Sequence, residues 1–260
     1  MTTEQPQAPN LMDPAYIADP YPALNALREG PGVGLDATGA QWYLTRYDDV
    51  HRALFDRGLS SDPRLAAPGT AGWFIAHGMD RESDEGISML FRDEPGHTRL
   101  RKLVNKAFTP RAVEAVRPRA TAIAHELLDA VAGQGEFDLM EAFCQPYPTV
   151  VIAEMLGVDA ADRDQFKAWS DLLVRGLDPF VSEADRAEMD AARQALDAYF
   201  AQAIAERRKQ PADDLMSRLI HAQEDGDSLT DVEMRVMLNL LLVAGNVTTT
   251  DLLGNGMKNL

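Results

Sequence analysis

Two basic side chains in the segment EPGHTRLRKLVNKAFTPR have the spacing of a carboxylate clamp. His97 and Arg101 are four residues apart, so on a helix they would lie one turn apart along one edge of an apolar stripe running from Leu100 to Phe108. An arginine fork beside an imidazole could bind a buried carboxylate through charge-assisted hydrogen bonds. An ordinary ion pair with an acid of the same chain is the commoner origin of such a spacing.

A glycine and three threonines interrupt a helical pattern in the segment LLLVAGNVTTTDLLGNG, residues 240–256. Glycine inside a helix costs about 0.5–1 kcal/mol relative to alanine, and β-branched threonines add no helix preference. Gly245 removes bulk and Thr248 adds a hydroxyl near the same face, so a flat ligand could approach with room for a diatomic molecule. A close helix crossing at Ala244 and Gly245, with the threonines bonded to the preceding turn, explains the same residues.

The elements that carry these side chains are predicted to be helices in a mainly α protein. GVGLDATGAQWYLTRY predicts a hairpin around residues 37–39, and residues 1–20 look irregular. Residues 63–92 form a long Gly/Pro/Asp-rich connection, and long connections of this kind are usually functional. Thr230 and Glu233 have the spacing of a capping box at the start of the last helix. Helices are predicted at YPALNALRE and YDDVHRALFD, and over 96–107, 112–132, 141–156, 160–175, 183–209, 212–222 and 230–260.

Composition limits the classes of function. The single cysteine, Cys144, excludes a disulfide framework and a cysteine-rich metal site. The net charge of −16 argues against a nucleic-acid partner. The N-terminus lacks a secretory signal, and the apolar run 237–244 is too short to cross a membrane, so we expect a cytoplasmic protein. From His97 to Arg119, seven bases accompany one acid, Glu114, which suggests a docking face for a negatively charged partner.

Taken together, these stretches resemble the signatures of bacterial cytochrome P450 monooxygenases. DEPGHTRLRKLVNKAFTPR resembles the C-helix pattern D-P-P-x-H-T-x-x-R, and VAGNVTT resembles the I-helix pattern A-G-x-[DE]-T-T. LSSDP, VVIAEMLGV and DDLMSRLIHA follow the family's order, so the likeness covers essentially the whole chain. It implies a single domain with the cytochrome P450 fold, helices A to I with a small N-terminal β-sheet. Residues 63–92 would be the B–C loop and 230–260 the I helix.

The resemblance implies that haem is the cofactor and gives several residues a role. His97 and Arg101 would bind a haem propionate. Thr248 would hydrogen-bond dioxygen and help to deliver protons. The residues expected beside the distal face of the porphyrin are Ala244, Gly245, Thr248 and Thr249.

Substrate and electron donor also have candidate contacts by this resemblance. The bases expected to face water and an acidic donor such as a ferredoxin are Arg99, Lys102 and Lys106. The apolar candidates for contact with a hydrophobic substrate are Trp73, Phe74, Leu90, Leu172, Leu173, Leu177, Leu240, Val243 and Val247. Ordinary core packing is the alternative for each of these apolar residues.

The sequence departs from the family pattern in two places. Val247 stands where the family usually has an acid and cannot relay a proton, so we hypothesise that Asp251 or a water chain takes over. The K-helix E-x-x-R and the F-x-x-G-x-x-x-C-x-G loop, which supplies the iron's thiolate, do not follow the I-helix signature before Leu260. Cys144, in EAFCQPYPTVV, has no glycine loop around it and is expected in the core.

The sequence therefore looks like the N-terminal portion of a cytochrome P450 that ends within the I helix, with no metal ligand of its own. The expected function of the intact protein is a haem-thiolate monooxygenase that inserts one oxygen atom from O2 into a hydrophobic small molecule. The alternative is a truncated, catalytically inactive helical module that acts through binding alone.

Overall fold

The computed structural model describes residues 8–10, 13–36, 41–77, 84–175 and 183–260. It is mainly helical, and its contacts form two compact units, Met1–Arg81 and Glu82–Leu260. The α-helices, labelled α1 to α11 in chain order, are Pro14–Ala18, Tyr21–Glu29, Tyr47–Phe55, Ala71–His77, Gly96–Ala107, Pro110–Val131, Pro146–Leu156, Arg163–Arg175, Glu183–Lys209, Leu215–Ile220 and Asp231–Lys258.

The first unit contains the predicted hairpin. Strand β1 (Val33–Leu35) pairs antiparallel with β2 (Trp42–Leu44), while the predicted turn at 37–39 lies outside the described residues. Helix α1 falls within the N-terminal segment that was predicted to be irregular. It begins where the Asp13 carboxylate accepts a hydrogen bond from the backbone N–H of Ala15, a local cap that can stabilise a single turn.

The connection over 63–92 is more regular than the sequence predicted. Besides α4, it contains 3₁₀ turns at Pro63–Leu65, Asp84–Gly86 and Met89–Phe91. Two of these turns are capped by the side chains of Asp62 and Ser88, each accepting from a backbone N–H two residues on. Such caps stabilise one turn without requiring a long periodic pattern.

The second unit packs α5 and α7 to α11 around one apolar core, and α6 contacts α7. Phe166 of α8 and Phe200 of α9 are fully buried in it, with ring centroids 6.0 Å apart in an edge-to-face arrangement. Helices α5 and α9 have the predicted bounds. The helix predicted over 141–156 is instead a π-helical turn, Met140–Cys144, followed by α7, because Pro146 lacks an N–H and is best placed in the first turn of a new helix.

Helix α11 begins at the predicted capping box. Thr230 Oγ1 accepts from the backbone N–H of Glu233, and the Glu233 carboxylate accepts from the N–H of Thr230. Within the described part of the chain, α11 is the one helix long and apolar enough to cross a bilayer, and 22% of its most apolar window is buried. The core helix of a soluble protein has the same length and composition.

Candidate functional site

Helix α5 presents two different flanks on either side of a buried stripe. Leu100, Leu103, Val104 and Ala107 are the buried residues of the helix. At 100° per residue, Arg99 and Lys106 fall on one side of this stripe, and His97 and Arg101 fall on the other. The helix can therefore be fixed to the protein by one flank and offer the other to a ligand.

Arg99 fixes the first flank to the start of α11. Its guanidinium lies 2.6 Å from Glu233 Oε1 and 2.5 Å from Asp227 Oδ2, and the Glu233 side chain is only 5% exposed. Hydrogen bonds to Glu233 and then to Asp227 raise the pKa of Arg99, and the same guanidinium lowers the pKa of Asp227. Arg99, whose side chain is 34% exposed, is thus paired with two carboxylates of the chain, and its expected place on a donor-facing surface stays a prediction.

Other bases of the basic segment also have partners within the protein. Lys106 Nζ lies 2.6 Å from Glu224, and Arg117 and Arg119 pair with Glu114 and with Glu126 and Glu154. Lys102 and Arg111 are exposed and form no ion pair with any described residue. The free positive charge of the segment is therefore smaller than its composition suggests.

The second flank of α5 carries the proposed clamp. Arg101 is exposed and has no hydrogen bond or ion pair to another described residue. His97 is 43% exposed, and its Nδ1 lies 3.9 Å from Glu94 Oε1. The internal ion pair that could have explained the spacing is thus not formed by Arg101, whose guanidinium can donate hydrogen bonds to an external carboxylate.

On α11, Ala244 and Thr248 form an open face. Both are exposed, as is Asp251 one turn further on, and Thr248 Oγ1 donates to the carbonyl oxygen of Ala244 over 2.8 Å. Leu252, beside them, is 70% exposed. This face combines a small side chain, a hydroxyl and a carboxylate, and apolar surface adjoins it.

Gly245 serves a different purpose from the one expected beside a flat ligand. A Cβ atom added to Gly245 would lie 3.3 Å from Cγ1 of Ile152 in α7, so the missing side chain allows the two helices to approach closely. One residue along a helix turns the side chain by about 100°, which separates Gly245 from the outward direction of Ala244. Gly245 therefore packs against α7, as the alternative of a helix crossing expected of it, whereas Ala244 is exposed; the placement of Gly245 beside the porphyrin stays a prediction.

The structure adds a residue that sequence reasoning did not place in the site. The Asn246 amide is 5% exposed, accepts from Thr149 Oγ1 over 3.0 Å and donates to Ser170 Oγ over 2.8 Å. Thr250 Oγ1 lies 3.4 Å from the same Oδ1 atom. The spacing of four residues could have indicated that one buried face of α11 contains Leu242, Asn246 and Thr250. It could not have indicated the hydrogen-bond partners of the Asn246 amide on α7 and α8.

The apolar candidates for substrate contact are in differing environments. Leu173 and Leu240 pack against the core cluster, whereas Leu90 is 59% exposed. Four others are partly buried: Trp73, Leu172, Val243 and Val247. Trp73 belongs to the first unit, and the Phe74 side chain and Leu177 lie outside the described residues.

Cys144 has the environment of a core residue. Its side chain is fully buried, and burial, assisted by Asp138, raises the pKa of its thiol. A thiolate is the form that binds metal, so this environment disfavours ligation. Among the described residues, no group of three or more His, Cys, Asp and Glu side chains could hold a metal ion.

The family to which these features point is shown by comparison. The family model described as Cytochrome P450 matches residues 41–257, a range that includes the open flank of α5 and the open face of α11. The chain belongs to the cytochrome P450 family. Cytochromes P450 contain haem, and the unpaired Arg101, the half-exposed His97 and the small Ala244 fit a planar group with carboxylate arms.

Individual cytochromes P450 are similar over nearly the whole chain. Cytochrome P450 107B1 of Saccharopolyspora erythraea is 40% identical over 100% of this chain and 64% of its own length. Vitamin D(3) 25-hydroxylase of Pseudonocardia autotrophica is 38% identical over 99% of this chain and 61% of its own. The structure of CYP109Q5 from Chondromyces apiculatus superposes with a TM-score of 0.81 at 37% identity, covering 94% of this chain and 58% of that one. The chain thus spans about three fifths of the length of these relatives.

Proposed function

We propose that the whole protein is a haem-thiolate monooxygenase that inserts one oxygen atom from O2 into a hydrophobic small molecule. The observation that carries the proposal is that Arg101 on α5 has no partner among the described residues while α11 has an open Ala244–Thr248 face, in a chain of this family. The relatives' names, which include a vitamin D(3) hydroxylase and a 6-deoxyerythronolide B hydroxylase, support a hydrophobic substrate.

Each proposed role follows from a side chain's surroundings. The exposed Arg101 guanidinium and the His97 imidazole would bind and orient haem propionates by charge-assisted hydrogen bonds. Ala244 would allow a flat ring to approach the helix, and Thr248 Oγ1, now donating to the Ala244 carbonyl, would hold a proton beside it. Thr249, partly buried next to Thr248, would support this turn. When bound, haem would supply the redox chemistry and the binding of dioxygen.

An acidic, ferredoxin-type electron donor fits the charges that remain available. Lys102 and Arg111 are exposed and unpaired among the described residues, so they are the better candidates for contact with a donor. Lys106, although 53% exposed, already pairs with Glu224, and Arg99 is committed to Glu233 and Asp227. We place the protein in the cytoplasm, where such donors act, with neither nucleic acid nor membrane as a partner.

The function is tested by the spectrum of the haem-loaded, reduced and carbon monoxide-treated protein. A monooxygenase of this class should give the Soret band typical of a thiolate ligand, and Arg101→Ala should lower haem retention relative to the matched surface variant Arg111→Ala. A stably folded protein that retains no haem would instead support the alternative of a helical binding module.

Asp251 is proposed to replace the missing acid at Val247 in proton delivery, because its exposed side chain lies one turn from Thr248 on the same face of α11. In Asp251→Asn, hydrogen peroxide release per electron consumed should rise, and the rate of product formation should fall by about 100-fold or more, the effect of losing an acid–base group. Asn255→Ala, an exposed change one turn further along, should leave both unchanged. Equal peroxide release by Asp251→Asn and the unsubstituted protein would remove Asp251 from the mechanism.

A further inference from the structure

One buried amide joins the three helices that meet behind the open face of α11. Asn246 Oδ1 accepts from Thr149 of α7, and its Nδ2 donates to Ser170 of α8. Thr149, Ser170 and Asn246 are 3%, 0% and 5% exposed. Water therefore cannot replace these bonds without opening the core, and a buried polar group that loses its partner is costly.

Because Asn246 lies two residues before Thr248 in α11, the hydrogen bonds of its amide help to set the direction in which the Thr248 side chain points. Two residues along a helix turn the side chain by about 200°, so Asn246 points into the core while Ala244 and Thr248 point outward. A rotation of α11 about its axis would break the amide's bonds and would also move the Thr248 hydroxyl. Apolar contacts, such as those of Leu242, are less directional than hydrogen bonds and would tolerate several rotations of α11 about its axis. The hydrogen bonds of the amide fix one rotation.

The two bonds of the amide are not equivalent. Thr149 Oγ1 also lies 2.9 Å from the carbonyl oxygen of Gln145, so its hydroxyl keeps an acceptor if Asn246 moves. The Asn246 Nδ2 group has Ser170 as its one partner among the described residues. Two and three residues after Ser170, α8 carries Leu172 and Leu173, the candidate substrate contacts.

We propose that Asn246 is a positioning residue that couples α8 to the α11 turn bearing Thr248, through the Asn246–Ser170 hydrogen bond. A displacement of α8 by substrate would then be transmitted to the Thr248 hydroxyl through this bond, while the Thr149 hydroxyl, which can also donate to the Gln145 carbonyl, contributes little to the coupling. The role in catalysis rests on the function proposed above, whereas the mechanical link between α8 and α11 does not.

The link is tested by amide hydrogen exchange of residues 244–250 in the protein without haem. Ser170→Ala and the near-isosteric Asn246→Leu should each speed exchange by about five- to tenfold, the effect of losing one hydrogen bond, and the double variant should exchange no faster than Asn246→Leu. The matched control, Thr149→Val, removes the other hydroxyl and should change exchange by less than about twofold, because Asn246 Oδ1 also accepts a hydrogen bond from Thr250 Oγ1. The coupling would be overturned if Thr149→Val and Ser170→Ala changed the exchange rate equally. It would also be overturned if the effects of Ser170→Ala and Asn246→Leu on exchange added in the double variant.

A spectroscopic measurement separates positioning from simple stability. In the haem-loaded protein, the infrared C–O stretch of the carbon monoxide complex reports the polar groups near the ligand. Ser170→Ala should shift or split this band and Thr149→Val should leave it unchanged; an unchanged band in both would remove the catalytic role. If the protein binds no haem, the proposed function fails, but the exchange comparison still decides the coupling. If Asn246→Leu does not fold, the comparison of Ser170→Ala with Thr149→Val decides it alone.

Discussion

At the scale of single residues, Gly245 shows how one sequence feature can serve a different purpose from the one its motif suggests. Its missing side chain is filled by Ile152 of α7, while the neighbouring Ala244 faces outward. The small residues of this motif therefore act on two faces: the glycine for packing, and the alanine for the open surface.

Alanine substitutions at Gly245 and Gly256 should change the free energy of unfolding by different amounts or in opposite directions. Gly256 lies in the last turn of the same helix with open space around it, so Gly256→Ala should stabilise the protein by about 0.5 kcal/mol through helix propensity. Gly245→Ala should raise the free energy of unfolding by less than Gly256→Ala does, or lower it by about 1 kcal/mol, because the new methyl group crowds Ile152. Urea unfolding measures both, and equal gains would show that the crossing tolerates a side chain.

The sequence predicted residues whose role depends on local spacing and missed those that depend on distant partners. His97, Arg101 and Thr248 could be proposed because helical periodicity and a family motif single them out, and their roles stay predictions. The partners of Arg99 are 128 and 134 residues away, and those of Asn246 are 97 and 76 residues away. No local pattern contains those distances, so the sequence predicted neither the partners of Arg99 nor the Asn246 network.

At the scale of secondary-structure elements, the flank of α5 that carries Arg99 holds the helix in place and so positions the flank that carries His97 and Arg101. Arg99 ties α5 to the first turn of α11, where Glu233 already belongs to the capping box. Helix bounds such as 96–107 and 183–209 were predictable because proline and periodic apolar residues mark them. The π-helical turn at Met140–Cys144 was not, because Pro146 marks where α7 begins but does not determine the conformation of the residues before it.

Removing Arg99 should cost much more stability than removing Lys106. Arg99→Met leaves the Glu233 carboxylate, 5% exposed, without its cation, and should destabilise the protein by about 1.5–3 kcal/mol, the range for hydrogen bonds to charged groups. Lys106→Met breaks an exposed pair that water screens and should cost much less stability than Arg99→Met. Chemical denaturation monitored by circular dichroism compares the two, and similar losses would show that the Arg99 pair is not a structural tie.

At the scale of the whole molecule, the second unit, Glu82–Leu260, contains both α5 and α11 and therefore both parts of the proposed haem site. The first unit contains the hairpin and Trp73, and the boundary between the units falls within the 63–92 connection. The sequence predicted the family and most helices of this unit because its motifs are local. It did not predict the ion pairs within the protein, which decide which basic side chains stay available to a ligand or partner.

The central claim is that one porphyrin contacts the His97–Arg101 flank of α5 and the Ala244–Thr248 face of α11 together. Hydrogen exchange measured by mass spectrometry, with and without one equivalent of haem, tests it most directly. The account predicts protection of peptides covering 97–101 and 244–251 at the same haem concentration, and loss of both protections in Arg101→Ala but not in Arg111→Ala. Protection of only one of the two segments, or of neither while haem is bound elsewhere, would contradict it.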